Sequence, residues 1–252
     1  MTVPDDLGAA VPLRGPARRV VSLVPSLTES VAATRPDALV GATAWCTHPA
    51  DLDVRRVRGT KNPDVAAIIE LAPDLVLCNR EENRRLDVER LRAAGVPVWV
   101  TVIESVEQAL HSLRRLFTDA LRWPVPSWLD DAAATWQRVT PGQPVRVTVP
   151  VWRDPWMVVG SRTFTGDLLA RLGYVNVFGG HAERYPHVAL DELRATNPDL
   201  VLLPDEPYPF SAGDGPEAFR GLRCALVAGR PLTWYGPSLV TAPEVLRSVL
   251  SY

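Results

Sequence analysis

Trp45, Arg80, Trp152, Arg153, Trp156, Arg162, Arg184, Tyr185, Tyr208, Phe210, Trp234 and Tyr235 are the side chains of this sequence best suited to gripping a large flat molecule. Indole and phenol rings stack on planar ligands and guanidinium groups fork onto polar or acidic edges, so the set points to a bulky, partly planar ligand carrying such edges. Taken singly, each tryptophan reads equally well as core, given how buried the type usually is; the group carries the argument. Catalysis is served less well. There is no G-x-S-x-G elbow, no G-x-x-x-x-G-K-[ST] loop, no G-x-G-x-x-G after the first strand and no H-E-x-x-H. Cys46 and His48 make a C-x-H pair without the further ligands of a zinc or iron site. Glu81 and Glu82 are chain neighbours, which seldom converge on one substrate. A rival reading, a cytoplasmic chelatase-like enzyme, needs His48 or His187 to meet Glu81, Glu82 or Glu183; a ligand sensor on the same fold is a further alternative and needs no such pair.

The elements that position these residues alternate between strand and helix. "RRVVSLVPS" reads as a buried strand closed by Pro25, and "SLTESVAAT" as a helix with Ser26 or Thr28 as N-cap. "ALVGATAW", "DLVLCN" and "VPVWVTV" are strands; "NPDVAAIIELA", capped by Asn62 or Asp64, and "NRRLDVERLRAAG" are helices. The second half repeats the order: strand "PVRVTVPVW", helix "SRTFTGDLLARLG", strand "YVNVFG", helix "ALDELRATN", strand "DLVLLPD", helix "GPEAFRGLRC" and strand "RPLTWYG". "PDLVL" itself occurs twice, at Pro73 and at Pro198, and the same offset of 125 sets Val20 on Val145. Strands apolar throughout and alternating with helices imply parallel sheets covered on both faces. The expected fold is therefore α/β, two similar Rossmann-like lobes with parallel sheets joined by a long helical connector, with a ligand cleft between the lobes. The boundaries read as an irregular lead-in at 1–17, an N-terminal lobe at 18–104, a connector at 105–141 and a C-terminal lobe at 142–252. In such sheets ligands lie beyond the carboxyl ends of the strands, where the aromatics and arginines above concentrate.

Lys plus Arg number 27 against 29 Asp plus Glu, so no global field draws nucleic acid or an anionic membrane. Three cysteines at unpaired spacings indicate no disulfide framework. No window reaches the ~18 apolar residues of a membrane span. The first twenty residues lack a basic start followed by an apolar run, so the expected location is cytoplasmic as the sequence stands, or extracytoplasmic if the true start lies upstream.

With these segments in view, the sequence resembles the helical-backbone (class III) substrate-binding proteins of ABC importers, and among them the vitamin B12-binding and ferric-siderophore-binding members. "RRVVSLVPSLTESV", "VRGTKNPDVAAIIELAPDLVLCNREENRR", "LRAAGVPVWV", "VGSRTFTGDLLARLGYVNVF" and "VALDELRATNPDLVLLP" carry the resemblance. It implies a non-catalytic protein without intrinsic cofactor, binding a cobalamin or other corrinoid first, a ferric siderophore or haem next. Trp45, Trp152, Trp234 and Tyr235 match its stacking loops, Arg80, Arg162 and Arg184 could hold carboxylates, and Phe164 follows a turn whose aromatic often faces ligand; with Tyr185 and Tyr208 these are the expected binding residues. It further implies docking on an ABC permease through an acidic residue on each lobe. Asp191 or Glu192 supplies it in the second; the matching first-lobe positions are Ala66 and Ala67, so either Asp64 or Glu70 serves there or docking is lost.

Overall fold

A computed structural model describes residues 1–249 and places both copies of "PDLVL" as interior strands of separate parallel sheets. The first sheet runs in the order Arg55–Arg56, Leu39–Ala42, Val20–Ser22, Leu75–Asn79, Val98–Thr101, with every neighbouring pair parallel. The second runs Tyr174–Asn176, Val145–Thr148, Leu200–Pro204, Cys224–Val227, again all parallel. Apart from the short Arg55–Arg56 edge the order of equivalent strands is the same in both. Two α/β lobes joined by a long helix result. By contacts, one unit comprises Met1–Ile103, Glu107–Ala133 and Tyr235–Pro237, and the other Glu104–Val106, Ala134–Trp234 and the chain from Ser238 on.

Each sheet buries the faces its apolar runs dictate. In the first lobe Val21, Leu23, Val76, Cys78, Val98 and Val100 pack on Ile68 and Leu91 of the flanking helices Val65–Glu70 and Arg85–Ala93. In the second, Val201 and Leu203 pack with Leu193, Phe178, Phe210, Phe219 and Trp156. Each such side chain removed from water contributes about 1.5–3 kcal/mol against the entropy of ordering the chain. The caps follow local chemistry. Asp64 accepts from Ala67 N at 3.1 Å as N-cap of its helix, and Thr163 accepts from Gly166 N at 3.1 Å as N-cap of Phe164–Leu172. That second helix ends on Gly173 at φ +97, where a Cβ would fall 2.7 Å from Gly142 N.

Several expectations are corrected. Residues 1–17 are not an irregular lead-in: Thr2–Pro4 and Ala10–Pro12 pair as an antiparallel hairpin. Its turn is tied by Asp5, which accepts from Leu7 N and Ala9 N at 2.9 Å and from Arg92 at 2.7 Å. Asp6 accepts from Arg115 and Val102 N. The bonds to Arg92, Val102 and Arg115, which join positions about a hundred residues apart, leave no local pattern. The first helix, Pro25–Ala32, has Val24 rather than Ser26 or Thr28 at its N-cap, because Pro25 occupies N1 where its missing N–H costs nothing. The connector changes character along its length, α over Val106–Arg115 and π over Leu116–Leu121, before a second helix at Ser127–Arg138. "PVRVTVPVW" divides into Val145–Thr148 and Pro150–Trp152, the latter pairing antiparallel with Met157–Val158. "GPEAFRGLRC" forms only a 3₁₀ turn at Pro216–Phe219, bounded by Gly215 and Gly221 in positive φ. "RPLTWYG" is not a strand: Gly229–Thr233 is a short helix that holds Pro231 in its first turn, and the last strand is the preceding Cys224–Val227.

Candidate functional site

In the first lobe the loops beyond the strand ends are braced from beneath. Arg56 donates from Nη1 to the carbonyls of Thr43 (3.2 Å) and Cys46 (3.0 Å), and from Nη2 to that of Leu52 (3.0 Å). Thr28 Oγ1 donates to Cys46 Sγ at 3.0 Å. Burial pushes the Cys46 thiol up, so it is a packed acceptor and not a nucleophile. On this frame Trp45 is 61% exposed. Gly59 makes room for the indole, since a Cβ there would lie 3.3 Å from Trp45 Nε1 and 2.5 Å from Asn62 Oδ1. The Arg80 loop is built by two asparagines. Asn79 Oδ1 accepts from Glu81 N at 2.8 Å, Asn83 Oδ1 accepts from Asn79 N at 2.8 Å, and Asn83 Nδ2 donates to the carbonyls of Leu23 and Thr60. Arg80 is exposed at the turn so formed. Buried Tyr235 donates to Glu82 Oε1 at 3.0 Å; burial, and then the Glu82 charge, hold its phenol well above the ordinary tyrosine value.

The second lobe builds a continuous file of rings. Trp152, 43% exposed, meets Tyr208 edge to face at 5.7 Å, Tyr208 lies 4.7 Å from Phe210, and Phe210 stacks on Trp156 at 6.0 Å with planes 5° apart. Phe219 closes the file edge-on to Trp156 at 5.1 Å. Only the Trp152 and Tyr208 end reaches the surface; Trp156 and Phe210, candidates by sequence, are core. Arg153 Nη1 donates to Asp214 and to Glu217 Oε1, and its guanidinium sits 5.4 Å over the Trp156 ring. The bond with Glu217 raises Arg153 above the ordinary arginine value and lowers Glu217 below the ordinary glutamate value. Beside this file, Gly160 N donates to the Arg184 carbonyl at 2.8 Å and Arg162 Nη2 donates to that of Ala182 at 3.3 Å, which draws Arg162, Arg184 and Tyr185 into one loop cluster.

The structure therefore sorts the candidates. Trp45, Arg80, Trp152 and Arg162 are exposed, and Arg184, Tyr185 and Tyr208 half-buried. Phe164, Trp234 and Tyr235 are buried at 4 to 6% exposure. Arg184 is ion-paired with Glu104, so it does not offer a bare guanidinium. Asp191 and Glu192 are exposed at the start of Leu190–Ala195, Asp191 lying 3.4 Å from Arg194. Of the first-lobe alternatives, Asp64 is engaged as a cap and Glu70 pairs with Arg55 at 2.8 Å. Sequence reasoning missed Arg56 and the carboxylates Asp214 and Glu217; nothing about an arginine in "RRVR" announces that it holds three carbonyls. A cavity of about 190 Å³ bounded by Ala10, Val11, Pro12, Arg92, Gly95, Val96 and Val98 has no aromatic lining and none of the site residues. Among the described residues no group of three or more His, Cys, Asp and Glu could hold a metal ion, and no helix is long and apolar enough to cross a membrane.

No family model matches the chain. The vitamin B12-binding protein of Yersinia pestis (strain Pestoides F) is 25% identical over 197 residues, which cover 74% of this chain and 69% of that protein. Among solved structures, the periplasmic vitamin B12 binding protein of Vibrio cholerae superposes with a TM-score of 0.75 at 18% identity, covering 94% of this chain and 97% of that one. The periplasmic heme-binding protein of Roseiflexus sp. RS-1 does so with 0.72 at 20% identity, covering 92% and 99%. These findings go against the cytoplasmic expectation: the similar solved proteins are periplasmic.

Proposed function

We propose that this chain, which is similar to the helical-backbone (class III) vitamin B12- and haem-binding substrate-binding proteins, is a non-catalytic binding protein of ABC-type transport that captures a corrinoid outside the cytoplasm and delivers it to an ABC permease. The observation that carries the reading is the pair of exposed indoles, Trp45 and Trp152, each at the strand ends of its lobe and each beside a polar brace, Arg56 on the Cys46 carbonyl in one and Arg153 on Asp214 in the other. Leaving a tryptophan in water forgoes about 1.5–3 kcal/mol of burial, and a flat apolar ligand recovers it. Trp45, Trp152, Tyr208 and Tyr185 are assigned to ring contacts, with Phe164, Trp234 and Tyr235 packed behind. Arg80 and Arg162 are assigned to polar groups at the ligand's edge, and Arg184 to shaping its loop through Glu104. Asp191 or Glu192 is assigned to the permease contact. Haem and ferric siderophores are the second choice, since stacking rings accept porphyrins and catecholates as well.

The test is titration of intrinsic tryptophan fluorescence with cobalamin, cobinamide, haemin and a set of ferric siderophores, corrected for inner-filter absorption and repeated by calorimetry. Saturable one-to-one binding of the corrinoids, tighter than that of haemin or any siderophore, is expected. A protein that binds haemin or a siderophore more tightly, or none of the panel, refutes the corrinoid assignment.

A further inference from the structure

Arg153 stands next to Trp152 and is the guanidinium that a carboxylate at the edge of a stacked ring would be expected to reach. Its charge is already met by carboxylates. Nη1 donates to both Asp214 and Glu217, Asp154 lies 3.5 Å from Nε, and the group is seated over the Trp156 ring. Asp214 is shared, its other oxygen accepting the Tyr208 hydroxyl at 2.7 Å, while Glu217 Oε2 accepts from Gly215 N at 2.6 Å. One carboxylate thus links the arginine to the phenol that stands edge-on to Trp152. Across residues 152–158 and 205–217 there is one arginine against five carboxylates, Asp154, Asp205, Glu206, Asp214 and Glu217, a net charge of −4. A ligand carboxylate brought to this ring pair meets a guanidinium whose charge is already paired and a repelling field, whereas an amide or a cationic edge is not repelled.

We infer that Arg153 is a positioning residue, holding Tyr208 and Trp152 through Asp214 and Glu217, and that this arrangement makes the second-lobe ring pair selective for a planar ligand whose edge there is uncharged or cationic. The inference rests on the proposed corrinoid reading and deepens it: peripheral amides are accepted and peripheral carboxylates are not.

The experiment compares cobalamin with its monocarboxylates, made by hydrolysing one peripheral amide at a time, on wild-type protein and on Arg153→Met, Arg153→Lys and Glu217→Gln. Calorimetry reads affinity, and near-ultraviolet circular dichroism checks each fold. Wild type is expected to bind at least one monocarboxylate about tenfold more weakly than cobalamin, a difference of about 1.4 kcal/mol. Arg153→Met lowers affinity for cobalamin, because the ring pair is no longer held, and lowers it at least as much for the monocarboxylates, because the unpaired carboxylates deepen the repelling field. Arg153→Lys does not restore it, because an ammonium cannot fork onto two carboxylates. Glu217→Gln, which removes one negative charge and releases a donor of Arg153, brings the weakened monocarboxylate back towards cobalamin; a purely structural role for Glu217 leaves that ratio unmoved. Equal or tighter wild-type binding of every monocarboxylate overturns the inference. So does a loss in Arg153→Met confined to the monocarboxylates, which makes Arg153 a direct contact. Wild type that binds no corrinoid removes the proposed function itself, and this inference with it.

Discussion

Asp74 of the first lobe and Asp199 of the second occupy the same joint, and the first lobe has built it more heavily. Asp74 Oδ2 accepts two backbone N–H groups, from Arg18 at 2.8 Å and Arg19 at 2.9 Å, where Asp199 Oδ2 accepts one, from Arg146 at 2.8 Å. In both lobes the arginine so held turns back on the preceding helix: Arg19 donates to the Leu71 carbonyl, and Arg146 to those of Thr196 and Asn197. Both helices leave through a residue at φ +44, Ala72 in one and Asn197 in the other, and both then run through a proline into the aspartate. The doubled "PDLVL" is therefore more than a pair of apolar strands. It is a clasp in which the exit from a helix, the start of the first strand and the start of the interior strand share one carboxylate.

The clasp also shows where the lobes part. Val20 stands opposite Leu75, but Val147, not Val145, stands opposite Leu200. Relative to the constant offset of 125, the first strand of the second lobe has slipped by two. A slip of two keeps every side chain on its own face, whereas a slip of one exchanges core for surface. The lobes differ more at the far end of the strands. There the first relies on backbone-binding asparagines and Arg56, and the second on stacked rings and an ion-pair cluster.

The largest effect separating the two joints is expected from removing the carboxylates. Asp74→Ala loses two charge-assisted bonds to backbone N–H groups and is expected to cost about 2 kcal/mol; Asp199→Ala loses one and costs about 1 kcal/mol. Urea unfolding of the two variants measures both. Equal losses break the claim that the first-lobe joint is the heavier.

The next effect concerns the strand ends. Trp152 has a ring partner in Tyr208, and its removal also strips that partner of its neighbour. Trp152→Ala is expected to weaken binding of the tightest ligand of the panel about tenfold, and Trp45→Ala about threefold, aromatic pairs contributing about 0.5–1.5 kcal/mol beyond area. The reverse order in calorimetric titrations places the principal stacking surface on the first lobe.

What could be read in the sequence follows from range. The strand runs, the Asp64 cap and the Gly173 stop are decided within a few residues, and each is visible there. The hairpin at 1–17 is decided by Arg92, Val100 and Arg115, and the exposure of Trp45 by Arg56 and Gly59, partners that no local pattern names. Trp156 and Trp152 are alike in sequence, both following a proline or a short apolar run. The fold separates them, because Trp156 is roofed by Arg153 and Phe210 while Trp152 has a ring on one edge only. "RPLTWYG" misleads for a related reason. Its apolar content suits a strand, yet the sheet edge is already filled by "CALV", and Pro231 fits the first turn of a helix.

The smallest expected effect tests whether the two helix exits are equally suited to their residues. At φ +44 an alanine Cβ crowds the following carbonyl, a penalty of about 1–2 kcal/mol for L-residues, which asparagine offsets in part and glycine avoids. Glycine also loses more freedom on folding, so the net gain is smaller than the strain relieved. Ala72→Gly is expected to stabilise the protein by about 0.5 kcal/mol, whereas Asn197→Gly leaves stability within a few tenths of a kcal/mol. Thermal and urea unfolding of the two variants, each against wild type, read this difference. Ala72 is exposed, so its methyl group contributes little packing to set against the gain. A loss of stability in Ala72→Gly would mean that the first-lobe clasp depends on a stiff alanine at its exit, and that its extra hydrogen bond is needed to hold a strained turn shut.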